Sequence, residues 1–75
     1  MNGPRDPEKR KKRIYRAARE LFFKKGYRET TMAQIAVHAG YSKRAVYLGH
    51  KNKDDLFVSL AADGLELLLS QLEEI

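Results

Sequence analysis

Residues 31–47 decide the fold of this chain and read TMAQIAVHAGYSKRAVY. Thr31 followed three residues later by Gln34 forms a capping box, a pattern typical of a helix N-terminus. Gly40 ends that helix, because glycine readily adopts the left-handed conformation just past a helix C-terminus. Ser42 is a preferred cap residue and predicts a second short helix that runs to about Leu48. Two short helices joined by a glycine-containing turn are typical of a helix-turn-helix.

Three side chains in this stretch meet the packing demands of the motif. Where the two helices cross, Ala36 is small enough to let them approach, and Val46 supplies an apolar anchor on the second helix. Gly40 tolerates the positive φ of the turn. The spacing therefore favours a helix-turn-helix, with an ordinary helical hairpin as the alternative.

A long helix precedes the motif. Asp6 is a cap residue, Pro7 lacks the N–H that the first helical position leaves unpaired, and Gly26 follows the last turn. These signals predict a helix over residues 7–25. Its apolar residues recur at helical spacing and form one stripe for burial: Ile14, Ala17, Ala18, Leu21 and Phe22.

A fourth helix follows the motif and runs to the end of the chain. Asn52 is its predicted cap, and Asp54 and Asp55 lie in the first turn, where acids are favoured. It carries two apolar stripes, Phe57, Ala61, Leu65, Leu68 and Leu72 on one and Leu56, Leu60, Gly64 and Leu67 on the other. One stripe is enough for a small bundle, so we expect the leucines after Gly64 to contact something beyond residue 75.

The charge of the chain is unevenly distributed. Its 75 residues contain fifteen Lys and Arg and ten Asp and Glu, a net charge of +5. All fifteen cations lie between Arg5 and Lys53 with only four acids, so residues 1–53 carry +11 and residues 54–75 carry −6. A block this positive indicates a polyanionic partner.

Several classes of function have no support in the sequence. The chain has no cysteine, and its two histidines, His38 and His50, are twelve residues apart, so neither a metal site nor a nucleophilic triad is indicated. We expect no enzyme activity and no cofactor. No apolar stretch is long enough to span a bilayer, and the charged start is unlike a signal region. These features predict a cytoplasmic protein without a membrane partner.

The second helix of a helix-turn-helix lies in the major groove with its N-terminal residues facing base edges. The candidates here are Ser42, Lys43, Arg44, Ala45 and Tyr47. Lys and Arg read guanine, a small apolar side chain touches a thymine methyl, and a tyrosine hydroxyl bonds phosphate. The alternatives are solvated charges at Lys43 and Arg44, a core-edge aromatic at Tyr47 and a purely capping Ser42.

A basic run occupies residues 9–13. Lys9, Arg10, Lys12 and Arg13 are candidates for an arm or helix start that follows the phosphate backbone or enters the minor groove. The alternative is a solvated helix face.

From about Lys12 to Phe57 the chain resembles the N-terminal DNA-binding domain of TetR-family (TetR/AcrR-like) transcriptional regulators. The matching residues are Arg13-Ile14, Ala17-Ala18, Leu21-Phe22, Lys25-Gly26-Tyr27, Thr30-Thr31, Ile35-Ala36, residues 39–43, Val46-Tyr47 and residues 53–57. The resemblance implies DNA contacts from Thr31, from residues 42–47 and from Lys53. It also implies a C-terminal domain, absent from this sequence, that binds a small-molecule effector and forms the homodimer.

Three positions separate this chain from the family pattern. After Tyr47 and Leu48 the family usually has an aromatic residue or histidine that contacts phosphate, then a buried phenylalanine, whereas this chain has Gly49 and His50. Glycine has no side chain to make this phosphate contact. A histidine in an apolar, buried position needs a hydrogen-bond partner or prefers the neutral form. Tyr41, usually a smaller aliphatic residue, reaches the DNA backbone or packs under the turn.

These observations predict an all-α fold, namely a homeodomain-like three-helix bundle with a helix-turn-helix, plus a fourth helix that leads to a C-terminal domain. Residues 1–53 are the basic arm and DNA-binding domain, and residues 54–75 begin the connecting helix. The predicted function is sequence-specific binding of double-stranded DNA at a near-palindromic operator, as the DNA-binding domain of a repressor. The alternatives are a basic helical protein that binds nucleic acid non-specifically and an interaction module that pairs through its leucine stripe.

Overall fold

Four helices account for most of the chain in a computed structural model, which describes residues 7–73, with side chains described for residues 7–64. They are α1 (Pro7–Lys25), α2 (Met32–Ala39), α3 (Lys43–Gly49) and α4 (Lys53–Glu73). The predicted all-α fold is confirmed, and α3 extends one residue past the expected end. The proposed Asp6 cap and the leucine stripes beyond Gly64 lie outside the described residues and side chains.

The predicted caps define the helix ends. At α2 the Thr31 side chain accepts from the Gln34 N–H at 3.1 Å while the Thr31 N–H donates to the Gln34 side chain at 3.0 Å, which completes the capping box. Ser42 accepts from the Ala45 N–H at 3.1 Å. Asn52 accepts from the Asp55 N–H at 2.8 Å and so begins α4.

The core lies where the four helices meet. Its buried apolar residues are Ile14, Tyr15, Ala17, Ala18, Met32, Ile35, Ala36, Ala39, Val46, Leu56 and Leu60. Leu21 and Phe22 of the predicted α1 stripe are partly buried against this cluster. From α4 the core takes Leu56 and Leu60, whereas Phe57 remains 47% exposed. Among the described residues, the stripe that contains Leu56 and Leu60 is therefore the one buried in the core, and Phe57 of the other stripe packs at its edge against Phe22.

One buried polar side chain joins the end of α1 to the start of α2. Thr30 is fully buried, and its hydroxyl donates to the main-chain carbonyl of Gly26 at 2.8 Å. The carbonyl of Leu21 lies 3.3 Å from the same hydroxyl. Because a buried hydroxyl needs a partner, these two carbonyls fix the path of the link between the helices.

Candidate nucleic-acid interface

The helix-turn-helix is a rigid unit built by the three residues that the spacing singled out. Ala36 and Val46 are buried, with exposed fractions of 1% and 0%. Gly40 has φ of +85°, in the left-handed region, and its N–H donates to the carbonyl of Ala36 at 2.9 Å. The Tyr41 N–H donates to the same carbonyl at 2.9 Å. These bonds close the end of α2 and set the angle at which α3 leaves the turn.

Burial of Val46 decides which face of α3 is presented to solvent. Lys43 and Arg44 are exposed, Ala45 is partly buried and Tyr47 is 41% exposed. The Lys43 ammonium lies 6.0 Å from the centre of the Tyr47 ring, one helical turn away. The cationic and hydroxyl-bearing candidates are therefore together on the outer side of the helix that the motif presents to its partner.

Leu48 also belongs to this outer face, and sequence reasoning did not select it. Its side chain is 68% exposed. It lies four residues after Arg44, hence one turn further along the same side of α3. The i, i+4 spacing of Arg44 and Leu48 could have indicated this position. An apolar residue is, however, assigned to the core unless the buried side of so short a helix is already known.

Thr31 and Ser42 are both exposed, and both side-chain oxygens cap helices. The capping interpretation of Ser42 is thus confirmed. A hydroxyl that accepts from a main-chain N–H still has its own proton to donate. Thr31 at the start of α2 and Ser42 at the start of α3 therefore keep a donor for an anionic group.

Lys53 is the remaining residue for which the resemblance implies a DNA contact. It lies at the first position of α4 and is partly buried. Its Nζ donates to the main-chain carbonyl of Tyr27 at 2.7 Å and lies 4.3 Å from the centre of the Tyr27 ring. The Tyr27 hydroxyl donates to the Asp54 carboxylate. Partial burial, together with this bond and the nearby negative charge, raises the pKa of Tyr27 to about 12.

The basic run forms the beginning of α1, since that helix starts at Pro7. Lys9, Lys12 and Arg13 are exposed and Arg10 is partly buried. Arg16 and Arg19, which the sequence reading passed over, continue the cationic side and share a shallow groove with Lys9, Lys12 and Asp63. Helical spacing extends this face well beyond the five-residue run.

Tyr41 packs under the turn. Its side chain is partly buried against the hydrophobic core, and the Arg13 guanidinium lies 5.9 Å from its ring centre. Packing, one of the two possibilities that the sequence left open, is therefore present in the structure. The contact also joins the basic side of α1 to the turn of the helix-turn-helix.

Gly49 and His50 differ in how the fold accommodates them. Gly49 is exposed, and a Cβ added there would meet no atom within 4 Å, so the position has room for an alanine side chain. His50 packs on the Tyr15 ring, and its Nδ1 is buried with no hydrogen-bond partner in the described part of the chain. Burial lowers the pKa of His50 below its ordinary value of 6.5; nearby Asp55 opposes the shift, and Lys11 adds to it.

Other kinds of site have little support in residues 7–73. Among the described residues, no group of three or more His, Cys, Asp or Glu is placed to hold a metal ion. No helix in the part searched is both long and apolar enough to cross a membrane. The feature that stands out on the described surface is the group of exposed cations on α3 and at the start of α1.

Comparison with known proteins agrees with this geometry. Residues 14–60 match the family model for bacterial regulatory proteins of the tetR family. In Bacillus subtilis, the HTH-type transcriptional regulator YvkB is 43% identical over 60 residues, covering 80% of this chain and 28% of that protein. The fatty acid metabolism regulator protein of the same organism is 33% identical over 61 residues, covering 81% of this chain and 31% of that protein.

A solved structure shares the fold. The fatty acid degradation regulator FadR from Bacillus halodurans superposes with a TM-score of 0.85 at 24% identity, covering 99% of this chain and 36% of that one. This chain therefore spans about a third or less of the length of the proteins it matches. With the helix-turn-helix in place and more than half of its residues matched by the family model, the chain belongs to the tetR family of bacterial regulatory proteins.

Proposed function

We propose that this chain is the DNA-binding part of a transcriptional regulator and that it recognises a specific double-stranded DNA sequence through α3. The observation that carries the proposal is the outer face of α3. Lys43, Arg44 and Leu48 are exposed on a helix whose opposite side is anchored by fully buried Val46. A short helix held this firmly presents its side chains to base edges at a fixed angle.

The residues divide into two roles. Lys43 and Arg44 are assigned to bases, since their donors match the O6 and N7 acceptors of guanine, while Ala45 and Leu48 are suited to thymine methyl groups. Thr31, Ser42, Tyr47 and Lys53 are assigned to phosphates. Contacts to phosphate set the register of the protein on the duplex but carry no sequence information. The start of α1, with Lys9, Arg10, Lys12 and Arg13, adds further phosphate contacts.

The intact regulator is proposed to be a cytoplasmic homodimeric repressor that binds a near-palindromic operator. A two-fold protein places two copies of α3 about one helical turn of DNA apart, so its site is an inverted repeat. The dimer contacts and the small-molecule effector site are assigned to a C-terminal domain outside residues 1–75. These assignments rest on membership of the tetR family.

Selection of bound duplexes from a random library tests the proposal. We expect enrichment of one sequence motif, with Lys43→Ala and Arg44→Ala each changing the base preferred at one or two positions. Lys24→Ala is the matched control, because it removes the same charge from the exposed end of α1. Equal binding to every duplex would sink the proposal in favour of non-specific nucleic-acid binding.

A further inference from the structure

We infer that Tyr27 is a positioning residue for DNA binding: its ring and its main-chain carbonyl hold the Lys53 ammonium ready for a phosphate. The inference rests on the proposed function, because it concerns how one of the proposed phosphate contacts is prepared. Tyr27 lies in the connection between α1 and α2, which is not part of the helix-turn-helix.

The position of Tyr27 is itself fixed. Gly26 ends α1 with φ of +100°, a conformation that side-chain-bearing residues rarely adopt, and this turns the chain back toward the helix bundle. The Tyr27 ring then packs between two others, with centroid distances of 5.0 Å to Phe22 and 5.4 Å to Phe57. Phe22 and Phe57 are 5.9 Å apart, so the three rings form one cluster that links α1 to α4.

Lys53 is held against this cluster by two contacts of different kinds. Its Nζ is 4.3 Å from the Tyr27 ring centre, within the range of a cation–π contact, and it donates one hydrogen bond to the Tyr27 carbonyl at 2.7 Å. An ammonium has three N–H groups, so two remain for an anion. A free lysine side chain loses much rotamer freedom on binding, and here part of that loss has already occurred in the unbound protein.

The same tyrosine keeps a neighbouring carboxylate occupied. Its hydroxyl donates to Asp54, the residue next to Lys53. Within residues 7–64 no carboxylate is seen in an ion pair with Lys53. Tyr27 thus binds the Asp54 carboxylate with its hydroxyl and the Lys53 ammonium with its ring and carbonyl. The positive charge of Lys53 is left available for a phosphate.

Substitutions at position 27, made with and without Lys53, test the inference. Tyr27→Phe keeps the ring and the carbonyl, whereas Tyr27→trifluorophenylalanine keeps the shape but removes most of the negative potential of the ring face. Each variant is combined with Lys53→Met, and binding to a labelled duplex recovered by selection is measured over a range of salt. Lys53→Met should lower the salt slope by about 0.9, as expected for one lost phosphate contact.

We expect Tyr27→Phe to weaken binding by about twofold, because the Asp54 carboxylate beside Lys53 loses the hydroxyl that donates to it. Relative to it, the trifluorinated ring should weaken binding about threefold to tenfold when Lys53 is present and leave binding unchanged in the Lys53→Met background. A purely structural role for Tyr27 would lower affinity equally in both backgrounds, and that result would overturn the inference. So would the absence of any loss, or a Lys53→Met variant that binds like wild type.

Failure of the proposed function looks different. If selection yields no preferred sequence but the fluorinated variant still weakens binding only when Lys53 is present, sequence-specific recognition is wrong while the role of Tyr27 stands. A specific motif with no coupling between positions 27 and 53 gives the reverse conclusion.

Discussion

The imidazole of His50 packs against the phenol of Tyr15, with ring centroids 5.7 Å apart and the planes tilted by 46°. The contact joins the segment that follows α3 to α1. His50 Nδ1 is buried there with no partner among the described residues. A buried polar nitrogen without a partner costs free energy, and the lowered pKa of His50 means that the fold favours the neutral form of the ring.

Replacing this histidine with the apolar ring that the family usually has should stabilise the domain. We expect His50→Phe to raise the free energy of unfolding by about 1 kcal/mol, because a buried atom without a hydrogen bond is removed. Urea denaturation should show a higher midpoint with an unchanged slope. His38→Phe is the control, since His38 is exposed and pairs with Glu20 at 2.8 Å, and it should give no gain.

The lowered pKa of His50 predicts a loss of stability in mild acid. Because the folded state disfavours the protonated ring, the unfolded state takes up the proton first as the pH falls through about 6.5. Stability relative to His50→Phe should be constant above about pH 7.5, decline through pH 6.5 and level off below the folded pKa. Denaturation of both proteins across this range measures the difference. A pH-independent difference would contradict the neutral, buried imidazole.

Gly40 and Gly49 should respond in opposite ways to alanine. At Gly40 the φ of +85° strains any side-chain-bearing residue, although a Cβ would meet no atom within 4 Å, so Gly40→Ala should cost about 1–2 kcal/mol. Gly49 lies within α3 outside the left-handed region, and Gly49→Ala should stabilise by up to about 1 kcal/mol. The melting temperatures of Gly40→Ala and Gly49→Ala, each relative to wild type, measure backbone strain and helix propensity respectively. Equal effects would mean that strain at the turn is unimportant.

A larger side chain at Gly49 should strengthen DNA binding. The position is exposed and a Cβ there meets no atom within 4 Å, so we expect the hydroxyl of Gly49→Tyr to restore the phosphate contact that the family resemblance implies is missing. We expect the dissociation constant to fall about threefold to tenfold for every duplex, with no change in preferred sequence. Gly49→Ala separates this contact from the gain in helix stability. Should both variants bind alike, the position does not face phosphate.

Thr30 should be intolerant of an apolar replacement of the same shape. Thr30→Val removes the hydroxyl that donates to the Gly26 carbonyl at 2.8 Å, in a site with no exposed surface, and should cost about 1–2 kcal/mol. Chemical denaturation provides the measurement. A variant as stable as wild type would show that Gly26 finds another donor.

The helix-turn-helix could be predicted from the sequence because its signals are local. Thr31 with Gln34, Gly40, and Ser42 each act within one helical turn, so capping and φ preferences determine where α2 and α3 begin and end. The family resemblance then indicated the candidate DNA contacts, and it showed that Gly49 and His50 depart from the usual family pattern.

Tertiary structure decided what depends on residues far apart in the chain. Tyr27 and Lys53 are separated by 26 positions, and the packing of α4 on the bundle, through buried Leu56 and through Phe57 on Phe22, brings them together. Leu48 was assigned to the outer face once burial of Val46 fixed the rotation of α3. The bounds of α2, α3 and α4 and their caps follow from the sequence, since these arise from neighbouring residues. Which faces are buried, and which charges are held in place, depended on contacts between helices that no local pattern encodes.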